Sequence, residues 1–481
     1  MLSAKSTISK RINVLYRFPN ASSLKYQSGR NGRLISAFSF IACLFVIYNP
    51  ASAQDNSPYS RYGIGDMVPS TNINTRGMGG ISAGYNNSFF INFNNPASYG
   101  SFLSVVEPKS GKQIYGRALL DIGMNFESRT LTEPSATAKF TASNALFSHV
   151  QVGIPLKSNW GLSFGLRPIS RVSYKILNRE YLPGVDSMVT LNEGDGGATL
   201  ASLGTGYKFN FKGGQSLSIG ANGGYLFGRK DYSVRRTILN DTIQYTSGNL
   251  ETETTFGNLY FNAGLQYQAA INNKYVLTVG AFGNWEQKLN ATQHMIRETY
   301  FYDETSGNTR LDSVYESSEK GKIIYPSSYT VGFVLEKKQD AQFKQPTWLI
   351  GVDFLQTRWD DYRSFGQKDQ LKNKWELRVG GELRPAPKRN YLSNVTYRAG
   401  FFTGPDYVEV GKKLPVMGGS LGLGLPVSNY NRLSSGSATV INLAFEYGKR
   451  GNNDNLLKES LFRFSLGFSL GDFWFARKKY D

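Results

Sequence analysis

Past residue 117 the chain is written with a period of two, and that period constrains the fold more than any other feature. In 462–470, Phe462, Phe464, Leu466, Phe468 and Leu470 alternate with Arg463, Ser465, Gly467 and Ser469. In 375–384, Trp375, Leu377, Val379 and Leu383 share one parity and Glu376, Arg378, Glu382 and Arg384 the other. Side chains on a strand alternate between faces, so each such segment has one apolar and one polar face. Fourteen segments of this kind centre near Ile122, Val152, Phe164, Tyr207, Ile219, Ala263, Val279, Phe333, Val352, Val379, Ala399, Leu423, Leu443 and Leu466. Their early connectors alternate between short (155–159, 211–214, 270–274) and long (177–197, 228–254, 286–323). A sandwich has no reason for such parity, whereas a membrane barrel has tight turns at one end and long loops at the other. The expected fold is all-β: a 14-stranded antiparallel transmembrane β-barrel over 118–475, followed by a tail at 476–481.

Composition agrees. The mean hydropathy of -0.34 excludes a bundle of apolar helices, yet 14% of residues are aromatic. A barrel reconciles the two, because half of each strand faces lipid and half faces water. Of the 51 glycines, many fall on the inward parity: Gly123, Gly153, Gly165, Gly204, Gly206, Gly220, Gly264, Gly280, Gly332, Gly380, Gly400, Gly422 and Gly424. Two roles remain open for them: room for something in the lumen, or relief of strand coiling.

Residues 1–53 contain seven Lys or Arg and no Asp or Glu. An apolar run from Leu34 to Tyr48 follows Arg30 and Arg33 and leads to Ala51-Ser52-Ala53. This pattern predicts a cleaved signal peptide over 1–53, and hence export to the outer membrane of a Gram-negative bacterium. Cleavage lowers the formal net charge from +18 to +11 and removes Cys43, the single cysteine. The exported chain then has no disulfide and no thiolate, and closure in a membrane is the remaining source of stability.

Residues 54–117 do not read as strands. They hold Arg76-Gly77-Met78-Gly79-Gly80 and, further on, Asn95-Pro96-Ala97. Gly77, Gly79 and Gly80 faintly echo a phosphate loop, but no strand precedes them and no Gly-Lys-Ser follows. A tethered segment beside a wide barrel is better read as a plug. With the fourteen strands that follow, these motifs resemble the FadL family of outer-membrane transport proteins. The resemblance implies a hatch that includes Asn95, Pro96 and Ala97, and passage of hydrophobic compounds such as long-chain fatty acids. One branch of that family shuttles substrates of the type IX secretion system, which makes a secreted-protein partner the alternative; a purely structural barrel is the third reading. The third segment carries Arg167-Pro168, and proline is poorly tolerated within a paired strand. FadL-like proteins open their wall at the third strand, so Arg167 and Pro168 mark a candidate kink with lateral exit into the bilayer; the other reading is a strand that simply ends or bulges there.

Little in the sequence supports catalysis. His149 lies on the inward parity, and its neighbour Ser148 is expected on the opposite face, out of reach. His294 sits in the seventh connector, where no spacing supports pairing with Asp303 or Asp312. Asn192-Glu193-Gly194-Asp195-Gly196 lacks the twelve-residue calcium loop and its closing Glu. Aromatics with a period of two meet lipid and not nucleobases. The expectation is a monomeric barrel in contact with outer-membrane lipid and hydrophobic small molecules, with no catalytic residue, metal, cofactor or nucleic acid.

Overall fold

The computed structural model describes residues 57–106, 113–114, 117–134, 139–239, 245–303, 307–338, 345–427 and 438–473. The expected signal peptide and C-terminal tail lie outside these residues.

The chain forms a closed antiparallel barrel of fourteen strands. They are β1 Arg117–Thr132, β2 Lys139–Lys157, β3 Trp160–Leu182, β4 Asp186–Asn210, β5 Ser216–Leu239 and β6 Ser247–Ala270. Strand β7 has two legs, Tyr275–Asn284 and Gln287–Asp303, and so has β8, Gly307–Tyr325 and Ser328–Lys337. Then follow β9 Thr347–Thr357, β10 Lys374–Arg384, β11 Thr396–Val410, β12 Lys412–Pro426, β13 Ala438–Arg450 and β14 Lys458–Phe473. Strand β14 pairs with β1 from Lys458↔Thr132 to Phe473↔Arg117, which closes the ring. All fourteen alternating segments of the sequence fall within these strands. Closure satisfies the ladder donors and acceptors that a bilayer would leave unpaired.

The alternation sorts the faces as expected. Outside, Phe164, Ile219, Val331, Phe401 and Leu421 are exposed. Inside, Asn125, Glu127, Arg129, Glu382, Arg398 and Arg463 are buried. The inward charges pair between neighbouring strands along the wall: Arg463 with Glu127 at 2.6 Å and Glu446 at 3.1 Å, and Arg398 with Glu382 at 2.6 Å.

The long connectors expected at 177–197, 228–254 and 286–323 are instead continuations of the strands. Strands β3, β4, β5 and β6 run for 23, 25, 24 and 24 residues, against 11 each for β9 and β10. A span needs about 9–11 residues, so β3 to β8 stand well above the bilayer as tall hairpins. A hairpin in water carries no continuous lipid-facing apolar row, so the period of two fades there although the backbone pairing continues. The presumed loop around Asn192 to Gly196 is part of β4.

The inner faces of these hairpins bury an aromatic cap. Tyr260, Tyr325, Trp359, Tyr362 and Tyr407 gather with Leu226, Leu289 and Ile323. Trp359 stacks on Tyr407 at 4.6 Å between ring centres. Trp359 and Tyr362 belong to the 358–373 connector between β9 and β10, which folds inward over the lumen.

Below the cap lies the N-terminal segment, and the inward glycines are its footprint. A Cβ on Gly77 would sit 2.8 Å from the Gly422 Cα, and one on Gly84 would sit 2.6 Å from the Thr278 carbonyl. Gly380 and Gly400 face the Met78–Gly79 backbone, Gly206 and Gly220 face the Pro96 carbonyl, and Gly280 faces that of Ala83. Of the two roles left open by the sequence, these positions serve the first. Others, such as Gly204 and Gly332, make room for wall side chains, Asn222 and Asp353.

We predict that Gly400→Val, which puts bulk against the Gly79 backbone, costs about 1–3 kcal/mol by overpacking. The unfolding transition of the purified barrel should fall accordingly. Gly419→Ala, whose Cβ would meet nothing closer than the Gly400 carbonyl at 3.6 Å, should leave it unchanged.

Candidate functional site

The hatch is pinned by two motifs that press on different parts of the wall. Asn72 caps a single helical turn, Ile73–Arg76, by accepting from Thr75 N. The turn delivers the Arg76 guanidinium to Asn125 Oδ1 at 2.6 Å and to the carbonyls of Thr71 at 2.8 Å and Pro69 at 3.1 Å, with Glu446 3.8 Å away. Burial pulls Arg76 down to about 10 while Glu446 opposes the shift, so it remains a cation at neutral pH. Gly79 and Gly80 follow with φ of 72° and 81°, in the left-handed region that glycine enters at least cost. Gly79 N donates to Ser420 Oγ at 2.8 Å, and Arg378 donates to the Gly80 carbonyl at 3.1 Å. The second motif sits against β4 to β6. Asn95 accepts from Ala97 N at 3.2 Å and donates to the Ala83 carbonyl at 2.8 Å, while Pro96 starts a 3-10 turn, Pro96–Ser101. Ala97 is fully buried.

A third pin lies outside the motifs singled out in the sequence. Asp353 of β9 accepts from the backbone N–H groups of Ser82 at 2.6 Å and Ala83 at 2.9 Å. Its signal was a lone acid on the inward parity between Val352 and Phe354.

Above the hatch, residues 57–68 form a strap. Asp66 takes hydrogen bonds from Arg129 at 2.8 Å and Arg450 at 3.1 Å, and both arginines also reach Glu459. The Ser57 hydroxyl donates to Glu459, and Tyr407 donates to the Gly65 carbonyl at 2.7 Å. Burial pushes the Asp66 carboxyl up, but Arg129 and Arg450 outweigh it and hold the group below the usual carboxylate range.

The strap lies where the wall forks. The ladder between β2 and β3 ends at Val150↔Leu166. Beyond it β2 continues against β1 alone, and β3 against β4 alone. Each strand carries a bulge near the fork: β2 skips Ser148 in its register with β1, and β3 skips Ile169 in its register with β4. A bulge bends its strand, which separates the two. Arg167 and Pro168 lie just past the last β2 partner, and both still pair with β4, at Leu200 and Thr199. The interruption is therefore on the β2 side only. Arg167 turns inward to the Ser70 carbonyl at 2.8 Å and Asn94 Oδ1 at 3.2 Å, over the Phe93 ring. The strap fills part of the gap by pairing Asp66↔Arg171 and Met67↔Ser170.

The same bulge corrects one expectation. It turns Ser148 to the luminal side, where its Oγ lies 3.1 Å from His149 Nδ1. His149 Nε2 is 3.4 Å from Asp121, so Ser, His and Asp do meet. They are nonetheless sealed: His149 is fully buried under the Phe93 ring, 5.0 Å away, which leaves no room for a substrate. His294 pairs with Glu316 at 3.2 Å on the tall hairpin of β7 and β8.

Between hatch, strap and cap remains a cavity of about 320 Å³. Arg76, Arg129, Arg378, Arg450, Arg463, Glu376, Glu446 and Glu459 line it together with apolar side chains, among them Tyr260, Phe282, Tyr325, Leu355, Trp359, Phe402, Val416 and Leu461. The lining is thus mixed, with ion pairs beside apolar surface.

Two outcomes follow. Arg76→Ala and Asp353→Ala each remove charged hydrogen bonds to the hatch, at about 1.5–3 kcal/mol per bond. Both should lower the unfolding transition and sensitise cells to bulky antibiotics. Because the Asp66 pKa is depressed, its latch contributes fully above its unfolded value of about 4 and is lost as pH falls through the lower folded value. Amide exchange in 57–68, corrected for intrinsic rate, should be equally slow at pH 5 and pH 7 and speed up only below about pH 4.

Solved structures share this architecture. The Pseudomonas putida toluene transporter TodX aligns with a TM-score of 0.50 at 14% identity, over 85% of this chain and 100% of that one. The Ralstonia pickettii toluene transporter TbuX aligns at 0.47 and 13%, over 84% and 98%, and a Pseudomonas aeruginosa FadL homologue at 0.46 and 13%, over 85% and 98%. The TodX alignment shows the shared FadL-like fold, that of an outer-membrane β-barrel. No curated protein sequence matches the chain. The family model for BamG matches residues 34–481, and the chain belongs to the BamG family.

Proposed function

We propose that this BamG-family barrel is a plugged binding barrel that engages a protein partner through its wall and tall rim. The occluded lumen carries this reading. The hatch touches wall glycines backbone to backbone, the aromatic cap covers the other end, and the space between is lined by ion pairs as well as apolar side chains. The ion pairs of that lining oppose the passage of a hydrocarbon that uptake of hydrophobic compounds would need. The rim itself presents large apolar side chains well above the span, with Leu177 60%, Tyr181 70% and Val314 70% exposed. Exposed apolar groups of this size in water mark contact surfaces. A secreted or surface-directed polypeptide, as in the secretion-shuttle reading, is a partner of this kind.

One observation favours the second reading, lateral passage of a hydrophobic compound. At the base of the fork the outer wall has a groove of about 490 Å³ lined by Val150, Val152, Phe164, Leu166, Ala201 and Leu203. A lipophilic molecule leaving through the fork would emerge there.

Depletion of the protein separates the two. Binding predicts a changed set of surface and secreted proteins with unchanged uptake of a radiolabelled long-chain fatty acid. Lost uptake with an unchanged protein profile would refute it.

A further inference from the structure

We propose that the free edge of β2, residues 139–149, takes an extended strand of a partner polypeptide. This rests on the binding reading above and names the place and the manner of contact. Over these residues β2 pairs with β1 on one side, and among the described residues no strand pairs with the other. A strand edge is a row of backbone donors and acceptors that templates another strand. In or near a bilayer, where water is scarce, an unfilled edge is costly.

Natural edges are usually blunted by lysine, proline or another charge. Lys139 stands at the outer end of this edge, but from Phe140 to Ser148 the strand reads Phe-Thr-Ala-Ser-Asn-Ala-Leu-Phe-Ser, with no charge and no proline. The small side chains at its centre leave the edge open to a second backbone. Asn144, 8% exposed, has neither amide atom hydrogen-bonded. Across the fork, the edge of β3 already carries an added segment. The strap pairs at Asp66↔Arg171 and Met67↔Ser170, Val68 N donates to the Ile169 carbonyl at 3.0 Å, and Ser57 N donates to that of Ser173 at 3.2 Å. Edge addition is thus how this wall seals one side of its fork, and β2 is the side left unsealed.

The guest is defined by its surroundings. Its backbone extends along β2 antiparallel or parallel, so its side chains alternate between lipid and lumen. The lipid-facing row is apolar, to continue the belt that includes Phe147, and its end can seat a side chain in the groove lined by Phe164 and Leu166. The luminal row is small or polar, to lie beside Asn144 and Arg129. A segment that is apolar at every second position fits.

The test uses the full chain in its native membrane, with a photoreactive phenylalanine analogue placed singly at Thr141, Ser143, Ala145, Tyr181 or Leu421. The proposal expects adducts from 141, 143 and 145 that map in register, successive positions reaching residues two apart in one partner segment. Leu421, on the far wall, should give none of these. Ala145→Lys should cut the Ser143 adduct at least tenfold while the barrel stays folded by its heat-modifiable migration. Adducts to lipid alone, to another segment of this chain, or to a second copy of it would overturn the proposal. A partner adduct from Tyr181 with none from the β2 edge would overturn it and leave the binding reading standing. No protein adduct from any position would overturn both.

Discussion

The whole molecule depends on one constraint: backbone groups facing lipid must find partners within protein. It forces the sheet to close, from β14 back to β1 at Lys458↔Thr132. It also makes the fork between β2 and β3 the consequential place in the wall, because there the pairing stops at Val150↔Leu166. The strap, the bulges at Ser148 and Ile169, and the small-residue run in β2 all concern that one interruption.

A second constraint follows from closure. Fourteen strands enclose more space than their lining side chains fill, and an open hole would leak. The hatch fills the lower lumen only because the wall recedes to glycine where Gly77, Met78, Gly79, Ala83 and Pro96 approach. Its charged pins, Arg76 and Asp353, then fix the register by hydrogen bonds that a water-filled lumen would weaken. Burying charge is expensive, and each pin meets that cost with close partners.

The sequence revealed the membrane-facing part of the fold well. Every segment centre, from Ile122 to Leu466, sits in a strand because lipid on one side and hatch or water on the other impose the period of two. It concealed the tall hairpins, since Lys175, Asn178 and Arg179 stand in water and no lipid-facing apolar row marks their strand. Arg76, Gly77, Gly79, Gly80, Asn95, Pro96 and Ala97 could be named only through the resemblance to the FadL family, since their turns are common ones. The partners of those turns could not: Asp353, Ser420 and Asn125 are distant in sequence and carry no pattern of their own. Ser148 was placed on the wrong face because a bulge depends on pairing with β1. The fork was half legible, through Pro168 in β3; its other half, the unpaired edge of β2, leaves no mark in an ordinary strand sequence.

The central claim is that the lumen is shut and that function is exercised at the wall and rim. Single-channel recording of the purified wild-type barrel in a planar bilayer tests it directly. The account predicts no steady conductance at neutral pH, with openings only when the hatch pins are removed. A stable open conductance in the wild-type protein would contradict it.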